Sequence, residues 1–303
     1  MSETLQIQVE PDVAICVERW PATVKDAPTV LAIHGFSSNR LIFGGLARAF
    51  AGTVELIAVD CRGRGLSSAP ADDTRYGMRR HADDAAAVLR ALDRKDVIVV
   101  GTSMGAWIGT QLAAHHADLV RALILVDGGC LPLLEAGADP VEYVNGVLLG
   151  GLDRLDLALP DIETTIAIVR SAPGLNQVWD ADVEASAREG FEPSEEGGVR
   201  GRMRGFVGVA DARSYNDPVA APYLRSDLSL VTCPTHLITA PDGLPIDHES
   251  CSPPVMAPEQ VKELATAVPQ LTVEETTGTN HFTICIGDIS NTYVVAAVRA
   301  ALG

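Results

Sequence analysis

Residues 97–105 read Val-Ile-Val-Val-Gly-Thr-Ser-Met-Gly, and this stretch decides the fold of the 303-residue chain. Its β-branched start predicts a short buried strand. The pattern Gly-x-Ser-x-Gly at residues 101–105 is typical of a serine on a tight turn between a strand and a helix, where side chains two positions to either side would collide. A helix predicted over residues 103–116 places Ser103 at its positive end. The alternative interpretation is a plain strand-to-helix turn in which Ser103 caps the helix.

Strand patterns and helix patterns alternate along the rest of the chain. Further strands are predicted at residues 12–20, 29–33, 54–59, 123–126, 235–239 and 271–275, and further helices at residues 41–51, 76–92, 258–268 and 288–302. This alternation predicts an α/β protein whose mostly parallel sheet is covered by helices on both faces. The strand at residues 12–20 alternates in polarity, so we expect it at an antiparallel edge.

The alternation stops between residues 130 and 225. This stretch has helical patterns, many prolines and glycines, and no convincing buried strand. We interpret residues 130–225 as a mostly helical insertion that forms a cap, and residues 1–129 and 226–303 as the α/β core.

Two further positions suggest chemistry that would involve Ser103. His281 lies after the last predicted strand, and of the seven histidines it alone stands where a general base for Ser103 is expected. Residues 34–36, His-Gly-Phe, follow the strand at residues 29–33. In acyl transfer, backbone N–H groups of Phe36 and Met104 would form an oxyanion hole. A strand-end turn around a buried histidine is the alternative for residues 34–36.

The chain resembles the α/β-hydrolase superfamily over nearly its whole length. The resemblance rests on residues 34–36, on residues 60–67 (Asp-Cys-Arg-Gly-Arg-Gly-Leu-Ser), on residues 101–105 and on residues 280–282 (Asn-His-Phe). It implies an eight-stranded sheet with a helical cap inserted after the sixth strand. It also implies that Asp60 and its neighbours shape a turn and are not catalytic.

The acid that would orient His281 has two candidates. Most members of the superfamily place it after the seventh strand, where Asp242 lies one residue early and follows a proline. Other members place it directly after the sixth strand, at the position of Asp127. We favour Asp127, because the two glycines that follow it leave room for its carboxylate to meet an imidazole, and we keep Asp242 as the alternative.

These residues predict a serine hydrolase that cleaves a carboxylic ester or lactone of a small to medium apolar substrate through an acyl-enzyme. A C–C bond hydrolase with the same triad is an alternative. So is a hydrolase-like ligand-binding protein with little turnover, because fold resemblance does not fix function.

Charge and composition narrow the expected partners and location. The net charge of −17 makes nucleic acid a poor partner, since phosphate backbones repel such a chain. No signal-peptide pattern, membrane span or C-x-x-C pair is evident, so we expect a cytoplasmic protein with a small-molecule substrate, no membrane association, no metal and no cofactor. The sequence leaves open whether the chain forms a homo-oligomer.

Overall fold

The computed structural model describes residues 2–129, 139–147, 151–214 and 228–303. Eight strands form one sheet in the order β1-β2-β4-β3-β5-β6-β9-β10, and β7 and β8 form a separate antiparallel pair. The strands are β1 (Glu3–Glu10), β2 (Val13–Trp20), β3 (Thr29–Ile33), β4 (Glu55–Val59), β5 (Val97–Thr102), β6 (Val120–Val126), β7 (Phe191–Pro193), β8 (Val199–Gly201), β9 (Thr235–Thr239) and β10 (Leu271–Glu275).

Ten helices accompany these strands among the described residues. They are α1 (Gly44–Ala49), α2 (Met78–Ala91), α3 (Met104–His115), α4 (Pro140–Val147), α5 (Ile162–Arg170), α6 (Ala181–Glu189), α7 (Gly205–Ser214), α8 (Pro258–Ala267), α9 (His281–Cys285) and α10 (Gly287–Leu302). None of the helices in the described ranges is long and apolar enough to cross a membrane.

The central strands are buried on both faces, and their side chains divide between two cores. Along β3, Leu31 and Ile33 pack with helices α2, α3 and α8, whereas Val30 and Ala32 pack with α1 and α10. Successive side chains of a strand point to opposite faces, so a fully apolar strand supplies both layers at once. Six neighbouring strands of the sheet run parallel, which brings their carboxyl ends to one edge; they are β4, β3, β5, β6, β9 and β10.

The predicted α/β architecture, a mostly parallel eight-stranded sheet flanked by helices, is confirmed. One correction concerns the amino-terminal edge. The strand predicted at residues 12–20 is β2, which pairs on one side with β4, and the true edge is the antiparallel strand β1. Strand β1 alternates polar Gln6 and Gln8 with apolar Ile7 and Val9, a two-residue period that is visible in the sequence.

Between β6 and β9 the described chain leaves the sheet and forms helices α4 to α7. The short pair β7–β8 also lies there, so the insertion is not wholly helical. Its predicted boundaries, at residues 129/130 and 225/226, fall at or within stretches outside the described residues.

Candidate active site

Ser103 stands between β5 and α3, at the sharp turn predicted from the sequence. Its backbone adopts φ 51° and ψ −120°, and residues other than glycine rarely adopt such a positive φ. Its N–H donates to the carbonyl of Val126 on the neighbouring strand β6 at 2.8 Å. Because the surrounding structure maintains this strained conformation, the Ser103 side chain is fixed at the carboxyl edge of the sheet.

The two glycines of the pentapeptide are required by the closeness of the backbone around the turn. A Cβ on Gly101 would lie 2.2 Å from the carbonyl oxygen of Gly105. A Cβ on Gly105 would lie 2.0 Å from the carbonyl oxygen of Ile33, in the adjacent strand β3. The predicted steric reason for the Gly-x-Ser-x-Gly pattern is therefore present in the structure.

His281 is presented by the short helix α9 rather than by an irregular loop. Asn280 caps this helix by accepting hydrogen bonds from the N–H groups of Phe282 and Thr283, and the Thr283 hydroxyl reciprocates by accepting from the Asn280 N–H. The His281 N–H donates to the carbonyl of Gly243 at 3.0 Å. The sequence gives little sign of this capping box, because Thr283 stands at the third helical position, where Glu or Gln is usual.

The imidazole of His281 joins Ser103 and Asp127. Its Nε2 lies 2.9 Å from Oγ of Ser103, and its Nδ1 lies 2.7 Å from Oδ2 of Asp127. The Asp127 side chain is fully buried and that of His281 is 7% exposed. Because a carboxylate only accepts hydrogen bonds, we assign the ring proton to Nδ1, which leaves the Nε2 lone pair facing Ser103.

Asp127 directly follows β6 and is held by strand β9. Its N–H donates to the carbonyl of Ile238 at 2.8 Å, and its Oδ1 accepts from the N–H of Ala240 at 3.2 Å. With φ 48°, Asp127 is also in the left-handed region. This leaves Oδ2 for the imidazole.

The glycines after Asp127 serve a different purpose from the expected one. A Cβ on Gly128 would lie 2.3 Å from the Trp107 ring, and one on Gly129 would lie 2.7 Å from the carbonyl oxygen of Ala106. These glycines therefore let the chain pass close to α3, and the space they leave is not where the carboxylate meets the imidazole.

The alternative acid, Asp242, does not enter this arrangement. It is exposed in the loop after β9. Both ring nitrogens of His281 already face other groups, so no ring nitrogen is left for Asp242. The structure thus joins Asp127, and not Asp242, to His281.

The predicted oxyanion donors lie on two segments that meet at Ser103. Met104 is the first residue of α3, where a backbone N–H has no acceptor within the helix. Phe36 follows Gly35, and a Cβ on Gly35 would come within 3.3 Å of the Ser103 Cβ. The loop of Phe36 is therefore in contact with the nucleophile turn.

A buried histidine supports the loop of Phe36. The Nε2 of His34 accepts the N–H of Cys61 at 3.0 Å, and its Nδ1 lies 2.7 Å from the carbonyl oxygen of Gly35. Complete burial lowers the pKa of His34 to about 3, so the ring is neutral. Its one ring proton is on Nδ1, which donates a hydrogen bond to the carbonyl oxygen of Gly35. Residues 34–36 therefore form the turn around a buried histidine that was given as the alternative, and the same loop also contacts Ser103.

No group of three or more His, Cys, Asp or Glu side chains is arranged to hold a metal ion within residues 2–129, 139–147, 151–214 and 228–303.

Comparisons with known proteins show what the chain resembles. A family model described as the alpha/beta hydrolase fold matches residues 28–158. The 2-(acetamidomethylene)succinate hydrolase of Mesorhizobium japonicum is 40% identical over 198 residues, which are 65% of this chain and 66%, just under two thirds, of that protein.

Solved structures cover the chain more fully. A crystal structure of E-2-(acetamidomethylene)succinate hydrolase matches with a TM-score of 0.78 and 21% identity, over 100% of this chain and 99% of that one. A thioesterase domain from the curacin biosynthetic pathway matches with a TM-score of 0.77 and 20% identity, over 99% of both chains. These similarities and the observed strand order show that the chain has the α/β-hydrolase fold.

Proposed function

We propose that this protein is a serine hydrolase that cleaves a carboxylic ester or lactone through an acyl-enzyme. The observation that carries the proposal is the contact of His281 with Ser103 at 2.9 Å on one side and with Asp127 at 2.7 Å on the other. A nucleophile within hydrogen-bond reach of a base, which is itself oriented by a third group, is the arrangement that activates a serine hydroxyl.

The chemistry follows from the positions of these groups. Nε2 of His281 takes the proton of the Ser103 hydroxyl as Oγ attacks the carbonyl carbon of the substrate. The Asp127 carboxylate stabilises the resulting imidazolium, and the N–H groups of Phe36 and Met104 donate to the oxyanion. His281 then gives its proton to the departing alcohol oxygen, and a water molecule deprotonated by His281 releases the acid and regenerates Ser103.

The serine narrows the reactions within the family. Epoxide hydrolysis and haloalkane dehalogenation need a carboxylate in its place, so acyl transfer to Ser103 is favoured.

The insertion also restricts substrate size. A Cβ on its Gly174 would lie 2.8 Å from the ring of Phe282, next to His281, and one on its Gly208 would lie 3.5 Å from the ring of Phe36, so the insertion approaches the nucleophile turn from two sides. This enclosure supports a small to medium apolar substrate rather than a polymer.

Release of p-nitrophenol from short-chain acyl esters tests the proposal, with wild type and Ser103→Ala measured side by side. We expect a burst followed by turnover in the wild type and neither in the variant. Ser67→Ala is a suitable control, because it removes a serine hydroxyl that donates to the Asp60 carbonyl in a structural turn. Absence of turnover in the wild type together with failure of a fluorophosphonate to label Ser103 would contradict the proposal and favour a ligand-binding protein.

A second candidate is hydrolysis of an amide-bearing substrate by the same residues. It is favoured by the 40% identity with a protein named for hydrolysis of 2-(acetamidomethylene)succinate. That compound and simple N-acyl amides should be assayed beside the ester and lactone panel, together with a vinylogous diketone for C–C cleavage. The class with the highest kcat/KM identifies the bond that is cleaved.

A further inference from the structure

Arg64 contacts both residues whose N–H groups are the proposed oxyanion donors. Its Nε donates to the carbonyl oxygen of Phe36 at 2.9 Å, and its guanidinium lies 5.3 Å from the centre of the Phe36 ring. Its Nη2 lies 3.8 Å from the sulfur of Met104. The Arg64 side chain is only 1% exposed, so its charge needs a buried partner.

That partner comes from the insertion. Asp211 of helix α7 is fully buried and forms an ion pair with Nη1 of Arg64. It also accepts the N–H of Gly77 at 2.7 Å and lies 3.0 Å from Nε2 of His81. Although burial opposes ionisation, the contacts with His81 and Arg64 keep the pKa of Asp211 well below its usual range. The carboxylate therefore stays charged opposite Arg64 at neutral pH.

Helix α7 also contacts the Phe36 side chain directly. A Cβ on Gly208 would lie 3.5 Å from Cζ of Phe36, and the Phe36 ring packs with Leu152 and Ala212. Phe36 is thus held by α7 through its ring and by Arg64 through its carbonyl, and Arg64 is in turn held by α7 through Asp211.

We propose that Arg64 is a positioning residue for the oxyanion hole, and that its pairing with Asp211 couples the docking of helix α7 to the placement of the Phe36 N–H. The inference rests on the proposed function. An oxyanion donor acts only within about 2.7–3.1 Å of the developing charge, so a displacement of Phe36 by a fraction of an ångström weakens it. Efficient acylation then requires α7 to be docked on the core.

A second link between the insertion and the core offers a matched control. Glu189 of helix α6 pairs with Arg40, a buried arginine that also pairs with Asp60 on the core. Glu189→Gln and Asp211→Asn each convert an insertion carboxylate facing a buried core arginine into an amide. Only Asp211 is paired with the arginine that donates to the Phe36 carbonyl.

The experiment compares wild type, the double variant Arg64→Met/Asp211→Asn, the single variant Arg64→Lys, and Glu189→Gln. The double variant removes both charges, so that neither is left buried and unpaired. Each protein is assayed for kcat and KM on an activated ester, for the rate constant of Ser103 labelling by a fluorophosphonate, and for its thermal unfolding temperature.

We expect the double variant to lose about 10- to 100-fold in kcat and in the labelling rate, somewhat less than complete removal of an oxyanion donor, with KM changed by less than about threefold. Arg64→Lys should lose less kcat than the double variant, because lysine keeps a positive charge opposite Asp211. It should still lose some kcat, because lysine lacks the planar guanidinium that contacts Phe36. Glu189→Gln should stay within about twofold of wild type. A purely structural role for Arg64 would lower the unfolding temperature without this split between kcat and KM.

Folded double variants that turn over and label at the wild-type rate would overturn the inference, as would an equal loss in Glu189→Gln. If the double variant does not fold, an Arg64→Lys protein with wild-type kcat overturns it, and a reduced kcat at unchanged KM supports it. Failure of the wild type itself to be labelled at Ser103 would instead refute the proposed function, and the inference with it.

Discussion

Replacing Asp127 with asparagine should abolish the base function of His281 while leaving the imidazole in place. Oδ1 of Asp127 accepts the N–H of Ala240, so the amide oxygen of asparagine takes that position and its NH₂ group faces Nδ1 of His281. Nδ1 must then accept a hydrogen bond, which moves the ring proton to Nε2. An Nε2 that already carries a proton cannot take one from the Ser103 hydroxyl.

The expected loss in kcat is on the order of 10⁴, as the same replacement costs in the triad of serine proteases. This corresponds to a rise of about 5 kcal/mol in the activation barrier. The assay is steady-state hydrolysis of p-nitrophenyl butyrate, with folding checked by circular dichroism and thermal unfolding. Asp242→Asn is the matched control, and since Asp242 is exposed we expect it to stay within about twofold of wild type.

A folded Asp127→Asn protein that loses less than about tenfold would refute the assignment of the acid. So would a loss of the expected size in Asp242→Asn. Because both variants replace a carboxylate by a neutral amide, a general effect of the lost charge would lower both rates together.

Three further outcomes follow from the same structure. Ser103→Gly should eliminate turnover yet raise the free energy of unfolding by about 1 kcal/mol, because glycine relieves the strain at φ 51°; an unchanged or lower urea midpoint would contradict this. Gly105→Ala should lower that free energy by at least about 2 kcal/mol, since its Cβ would meet Ile33, and a wild-type urea midpoint would speak against this contact. Burial lowers the pKa of His34 from 6.5 to about 3, so the unfolded chain binds one more proton and the free energy of unfolding falls as the pH drops below 6.5. At pH 5 this loss is about 2 kcal/mol, and it should be smaller in His34→Gln. The same pH dependence of unfolding in wild type and variant would contradict this.

Much of the sheet and the order of the site residues could be predicted from local pattern. Strands β3, β9 and β10 begin and end at the predicted residues, because short apolar runs between turn residues carry a strong signal. The serine turn was equally visible in the sequence. The close approach of Gly105 to β3 permits no side chain, so a glycine is required at that position of the Gly-x-Ser-x-Gly pattern.

The sequence favoured Asp127 but did not exclude Asp242. The choice depends on which strand end faces helix α9, and thus on the pairing of β6 with β9, a contact between residues more than 100 positions apart. The ion pair of Arg64 with Asp211 was hidden for the same reason, because nothing near either residue in the sequence indicates the other. Tertiary pairing of this kind leaves no periodicity for a local pattern to reveal.

The position of Asp127 directly after β6 has a consequence for protein engineering. Asp127 is held by Ile238 of β9 and by Ala240, which follows that strand, and the exposed residues 246–250 farther along the same connection make no described hydrogen bond to Asp127 or His281. Gly243, earlier in this connection, accepts the His281 N–H with its carbonyl and donates its own N–H to the carbonyl of Ser252. Residues 246–250 lie between Gly243 and Ser252, so sequence libraries or a peptide tag can be placed there as long as that hydrogen bond is kept.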